Sequence, residues 1–137
     1  MDAEVVVDAS IWVSGFISRD VNHNPSRLWI QRYIAEGGFI VEPTFVLIEV
    51  AAAVSRQAGQ STVGREAVRD LFHVRAMRFK SLDPPSFWSA VETAADLQLR
   101  AGDAIYVALA YQLNIPLVSS SSNSCHSSHP QSTLHIA

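Results

Sequence analysis

Val5-Val6-Val7-Asp8-Ala9-Ser10 is the stretch that decides how this chain is read. Three β-branched residues in succession, bounded by Glu4 and Asp8, predict a short strand covered on both faces, as in a parallel sheet. A carboxylate at the end of such a strand needs a reason to be there. In open α/β sheets ligands bind outside the carboxyl ends of the strands, which makes Asp8 the first candidate for chemistry and Ser10 its neighbour.

Working outward, short apolar runs alternate with longer periodic ones. Residues 11–23 read as a turn and loop carrying Gly15, Arg19 and Asp20. Asn24-Pro25 reads as a helix start, with Gly37-Gly38 as its stop. Phe39-Ile40-Val41 is a second strand, and Pro43 opens a helix over about residues 44–56. A helix is expected over 61–77, an edge strand over 78–82, and a helix capped by Asp83-Pro84-Pro85 that reaches about residue 97. A helix over 103–113 and a last strand, Leu117-Val118-Ser119, follow. The order β-α-β-α-α-β-α-α-β predicts an α/β fold, a single-domain parallel-sheet sandwich with helices on both faces. Residues 1–118 are expected to form the domain. Residues 119–137 form a Ser/His-rich tail with no Asp, Glu, Lys or Arg, expected to be flexible.

Composition narrows the function classes. The 137 residues are 48% hydrophobic and 17% charged, which is globular and against disorder. No apolar run approaches the ~18 residues of a membrane span, and no basic-then-apolar leader precedes the first strand, so a cytoplasmic protein without a membrane partner is expected. The single cysteine, Cys125, allows no intrachain disulfide. A net charge of −3 carries no polyanion-binding signature, so any nucleic-acid contact must come from a local patch.

Two further acids share the peculiarity of Asp8. Glu49 is the only charge between Phe45 and Val54, with Phe45, Val46, Ala52 and Ala53 at helical spacing around it. Asp103 is the only charge from Ala101 to the end of the chain. Each has a bland alternative: an Asx-turn with Ser10 for Asp8, an ion pair with Arg100 for Glu49, a dipole-favoured helix start for Asp103. One shared site explains all three together. Desolvated carboxylates brought close repel one another, and a hard divalent cation with oxygen ligands relieves both costs. Mg²⁺ or Mn²⁺ suits such a donor set.

The motifs around these acids resemble a known family. The strand ending in Asp8-Ala9-Ser10 resembles the opening motif of PIN-domain nucleases. Pro43-Thr44-Phe45-Val46-Leu47-Ile48-Glu49-Val50 is similar to the second motif, and Gly102-Asp103-Ala104-Ile105-Tyr106-Val107-Ala108-Leu109-Ala110 to the third. Size and element order resemble the toxin branch, the VapC-type ribonucleases, over roughly residues 5–118. The resemblance implies a metal-dependent endoribonuclease with Asp8, Glu49 and Asp103 as metal-binding catalytic acids and Ser10 as the hydroxyl residue beside them. It also implies an RNA substrate, a cognate antitoxin protein and a homodimer. The fourth motif departs from the family: Ser121 stands where an aspartate belongs, which predicts impaired activity. A catalytically degenerate PIN domain that binds RNA or protein is the alternative, and a phosphatase with Asp8 as nucleophile a third.

Lesser signals weigh less. Cys125, His126 and His129 are metal-ligating types at a spacing that fits no standard zinc site. Trp12, Trp29 and Trp88 are expected in the core rather than stacked on bases. Arg65, Arg69, Arg75, Arg78 and Lys80 read as a solvated face, and Arg19 as a contact for a phosphate.

Overall fold

The computed structural model describes residues 3–120 and the backbone of residues 134–135. Strand β1 (Glu4–Val7) is followed by α1 (Ala9–Phe16) and α2 (His23–Ala35), then β2 (Phe39–Pro43), α3 (Phe45–Ala58) and α4 (Ser61–Phe72). Strand β3 (Met77–Lys80), α5 (Pro84–Leu97), α6 (Ala101–Leu113), β4 (Leu117–Ser119) and β5 (Leu134–His135) complete the order. All strands pair in parallel, in the order β3-β2-β1-β4-β5. The expected parallel α/β architecture is therefore present.

Successive strand residues point to opposite faces, so three consecutive buried residues mean that both faces are covered. Val5, Val6 and Val7 are all buried, as are Ile40 and Val41. Each such side chain contributes roughly 2 kcal/mol of burial, and together they anchor a core that takes in Ile11, Trp12, Val46, Val50, Val54, Leu71, Tyr106 and Val118. Helix α4 lies close against α3 at Gly64, where a Cβ would stand 2.6 Å from the Ala51 carbonyl oxygen and overlap the Ser55 hydroxyl.

The strand order creates the crevice. From β1 the chain steps outward to β2 and β3, then returns through α5 and α6 to place β4 on the other flank of β1. The switch point lies between β1 and β4, and ligands bind at the carboxyl ends of strands there. Asp8 follows β1 and Ser120 follows β4 at that edge.

Several expectations need correcting. Residues 9–16 form a helix where a loop was read, and α2 begins at His23 behind Asn22 rather than at Pro25. Helix α4 ends at Phe72, four residues before β3, and β3 itself lies one to two residues earlier than expected. Asp83 does cap α5, its Oδ1 accepting from the Ser86 N–H at 2.9 Å with Pro84 at the first helical position. Strand β4 spans Leu117–Ser119 as read, and residues 134–135 form a strand beside it. Ser121, Cys125, His126 and His129 lie outside the described residues.

Candidate active site

Asp8 stands at the junction of β1 and α1 and serves both. Its backbone N–H donates to the Val118 carbonyl at 3.0 Å, tying it to β4. Its side chain caps α1: Oδ1 accepts from the Ser10 N–H at 2.7 Å and from the Ser10 hydroxyl. Because the single proton of Ser10 Oγ goes to Asp8, the 2.8 Å contact between Ser120 and Ser10 must have Ser120 as donor. A chain of hydroxyls thus runs from the end of β4 to Asp8. The Asx-turn read as a bland alternative is present, and it coexists with the placement of Asp8 in the crevice.

Glu49 comes from the second turn of α3, between the fully buried Val46 and Val50. Its Oε1 is buried and has no hydrogen-bond partner among the described residues, and the same holds for the Tyr106 hydroxyl nearby. Burial raises the Glu49 pKa first, and the charges of Asp8 and Asp103 raise it further, to about 7; Tyr106 pulls the other way. Among the described residues no cation offsets the group, and the ion pair with Arg100 weighed above is not formed. Gly102, at the start of α6, gives Glu49 its room: a Cβ there would collide with Oε1.

Asp103 sits in the first turn of α6, one residue past Gly102. Partial burial and then the charge of Asp8 raise its pKa, while Arg100, three residues before it, lowers it. Asp103 thus stands at a helix start, as its bland reading has it, and also within electrostatic reach of Asp8 and Glu49. Three elements distant in sequence therefore bring Asp8, Glu49 and Asp103 within one electrostatic neighbourhood.

A fourth acid escaped the sequence reading. Glu42, in β2, is 0% exposed. Its Oε1 accepts from the Val7 N–H at 2.6 Å, and its Oε2 is buried without a partner among the described residues. Burial pushes its pKa well above the carboxylate range; Asp8 and, more weakly, Glu49 add to the rise, while Val7 and the Trp12 indole oppose it. An unsatisfied buried oxygen of this kind costs about 1–3 kcal/mol. The signal available in sequence was the one used for Glu49, a lone acid among apolar neighbours. It was missed because the strand was ended at Val41, which placed Glu42 in a turn.

The other candidates fall away from the crevice. Arg19 donates to the Gln57 carbonyl, roughly 12 Å along α3 from Glu49 at 1.5 Å per residue. Trp12 is buried and Trp29 stacks on Tyr33 against the core, but Trp88 is 62% exposed, contrary to expectation. Arg65, Arg69, Arg75, Arg78 and Lys80 are exposed as expected; Arg78 pairs with Glu4 at 3.0 Å and covers the Phe39 ring.

As they stand, no three His, Cys, Asp or Glu residues among those described are close enough to enclose a metal ion. The donor set nonetheless fits a hard cation. It offers carboxylate oxygens only, and one of them, Glu49 Oε1, is buried with its hydrogen-bonding capacity unused.

The PIN domain model matches residues 5–123, most of the chain. This chain belongs to the PIN domain family. No curated protein matches it in sequence. Among solved structures, this PIN domain is similar to the Mycobacterium tuberculosis toxin VapC20, described as cleaving the sarcin-ricin loop. That match has 17% identity and a TM-score of 0.68, over 82% of this chain and 86% of the other. It is similar to a toxin–antitoxin complex from Klebsiella pneumoniae, at 16% identity and a TM-score of 0.67, over 96% and 99% of the two chains. A third match is VapBC2 from Rickettsia felis bound to a fragment of its promoter DNA, at 14% identity and a TM-score of 0.65, over 88% and 89%. At these identities the likeness is one of fold. No helix of the described PIN domain is long and apolar enough to cross a membrane.

Proposed function

We propose that this PIN domain is a metal-dependent endoribonuclease, the toxin of a toxin–antitoxin pair, with Asp8, Glu49 and Asp103 holding Mg²⁺ or Mn²⁺. The observation that carries this reading is the buried, unpartnered oxygen of Glu49 beside two further carboxylates at the switch point of the sheet. A divalent cation bound there supplies positive charge against the scissile phosphate and activates water for attack. The residues do the rest. Asp8 is fixed by its bonds to Ser10 and Val118, so its carboxylate is oriented before any ligand arrives. Ser10 donates to Asp8 and so orients its carboxylate, and Ser120 fixes the rotor of Ser10. Tyr106 is buried close to Glu49 and helps to desolvate it. The antitoxin and the homodimer, read from the family resemblance, are the proposed protein partners, the former supported by the toxin–antitoxin complexes that share this fold.

Cleavage of a mixed pool of RNA oligonucleotides tests the reading. Mn²⁺ or Mg²⁺ should be required, EDTA should stop the reaction, and Asp8→Asn prepared in parallel should leave the pool intact. A wild-type chain that cuts equally well in EDTA would overturn the metal assignment.

Ser121 in place of the expected fourth acid favours a second reading, a degenerate domain that binds without cutting. One substitution separates the two. Ser121→Asp supplies the acid that the fourth motif of the family calls for and should raise cleavage at least about tenfold, since charge count tunes cation affinity. If Ser121→Asp cuts no faster than a wild type that already cuts, position 121 lies away from the crevice. If neither cuts while both retain RNA, the binding reading stands.

A further inference from the structure

We infer that Glu42 is a positioning residue of this site, its carboxyl taking the place of one rung of the sheet and holding the end of β1 where Asp8 leaves it; this rests on the nuclease reading above. The ladder between β1 and β2 runs regularly at first: Phe39 N–H donates to the Ala3 carbonyl at 2.8 Å, and Glu4 pairs with Phe39 and Val5 with Ile40. Continued by one step, that register would pair Val6 with Val41 and send the Val7 N–H to the Val41 carbonyl. It does not continue. The Val7 N–H donates instead to Glu42 Oε1 at 2.6 Å.

The interruption is local to one side. Strand β2 goes on pairing with β3 as far as Pro43 with Lys80, and β1 goes on pairing with β4 through Val7 and Val118. So the last residue before Asp8 is gripped between the backbone of β4 and the side chain of Glu42. Asp8 then turns out of the sheet and caps α1. An apolar residue at position 42 would be the expected occupant of a wholly buried strand position, since a carboxyl there leaves one oxygen unsatisfied. What the carboxyl supplies in return is an acceptor on a flexible arm, which lets β1 and β2 stop pairing without orphaning the Val7 N–H. Burial, with the charges of Asp8 and Glu49, pushes its pKa up and so favours the neutral form; glutamine reproduces the acceptor while leucine removes it.

The test compares Glu42→Gln with Glu42→Leu in the full chain, using Mn²⁺ as the probe. In Glu42→Leu, hydrogen exchange at the Val7 amide of the metal-free protein should accelerate at least about tenfold. The Mn²⁺ Kd should weaken, and kcat on RNA should fall, by about tenfold each, as outer-shell substitutions do, with KM within about twofold and Tm unchanged or higher. Glu42→Gln should return every readout to within about threefold of wild type. Wild-type exchange and Mn²⁺ binding in Glu42→Leu would reduce Glu42 to a core residue. A Glu42→Gln variant as impaired as Glu42→Leu would show that its charge and not its acceptor matters, which also overturns the inference. Should Glu42→Leu not fold, Glu42→Met removes the acceptor with a more adaptable side chain. A wild type that binds Mn²⁺ and protects its Val7 amide but cuts no RNA would sink the nuclease reading and leave the positioning role standing.

Discussion

Glu49→Gln is expected to abolish RNA cleavage and, in the same molecule, to stabilise the metal-free protein at neutral pH. Loss of activity should exceed about a thousandfold, some 4 kcal/mol of barrier, because a neutral amide cannot balance cation charge at the phosphate. The stability gain follows from the carboxyl itself. Its pKa in the folded protein is about 7 against 4.5 for the free group, because burial and then Asp8 and Asp103 disfavour its charge. The native state therefore binds the proton more tightly than the unfolded state does, and stability falls as pH rises. The penalty is absent below about 4.5 and complete above about 7. At full burial such a displacement would be worth ~3 kcal/mol, and for this half-exposed group solvent screening reduces it to about 1 kcal/mol. Melting in EDTA across pH 4 to 8 should show the slope in wild type and a shallower one in Glu49→Gln. Mn²⁺ binding to wild type should strengthen over the same window, because the ligand must be ionised. Parallel pH profiles for the two proteins in EDTA would remove Glu49 from the cluster.

Gly102→Ala is the second large effect, and it runs against propensity. Alanine is favoured over glycine within a helix by about 1 kcal/mol, so at an ordinary position the change would stabilise α6. Here the added Cβ would collide with Glu49 Oε1 and come within 3.3 Å of Glu49 Cδ and 3.4 Å of a Phe45 ring carbon. Ring and helix backbone are held by the core, whereas the glutamate arm can rotate. It is the arm that gives way. A displacement of about 1 Å at a reacting group costs on the order of a hundredfold, so kcat should fall by about that factor while Tm moves by only a few degrees. Cleavage and thermal unfolding measured on one preparation decide it. Full activity in Gly102→Ala would mean that Glu49 does its work from a different rotamer.

Much of this was legible in the sequence because the signals were local and unopposed. Asp83-Pro84 caps α5 by rules that depend on three or four residues, and Val5-Val6-Val7 can be little other than a doubly covered strand. Lone acids in apolar surroundings marked Asp8, Glu49 and Asp103, which the fold gathers. Helix α1 was illegible for the opposite reason. Ile11, Trp12, Val13, Ser14 and Gly15 are weak helix formers and all are buried, so neither propensity nor an amphipathic stripe announces the helix. Its existence depends on the Asp8 cap and on contacts with α2 and α3 that no window of sequence contains. The overextended α4 has a similar cause: Val74 and Met77 continue an apolar pattern, but Met77 belongs to β3 and packs against the core from there. Glu42 was hidden by a boundary error of two residues, enough to turn a core position into a presumed turn.

The double duty of Asp8 bears on how this chain can drift. Asparagine caps a helix about as well as aspartate, and serine or threonine nearly so, whereas alanine would cost about 1 kcal/mol. A lineage that stopped cutting RNA would still be confined at position 8 to side chains bearing an acceptor for the Ser10 N–H. Glu49 has no such second employment: its part-buried carboxyl receives no hydrogen bond at Oε1 among the described residues and burdens the fold that carries it. Released from function, position 49 should be among the first to turn apolar. Between two descendants of this chain, a retained glutamate at 49 is therefore the stronger testimony to a working nuclease than a retained aspartate at 8.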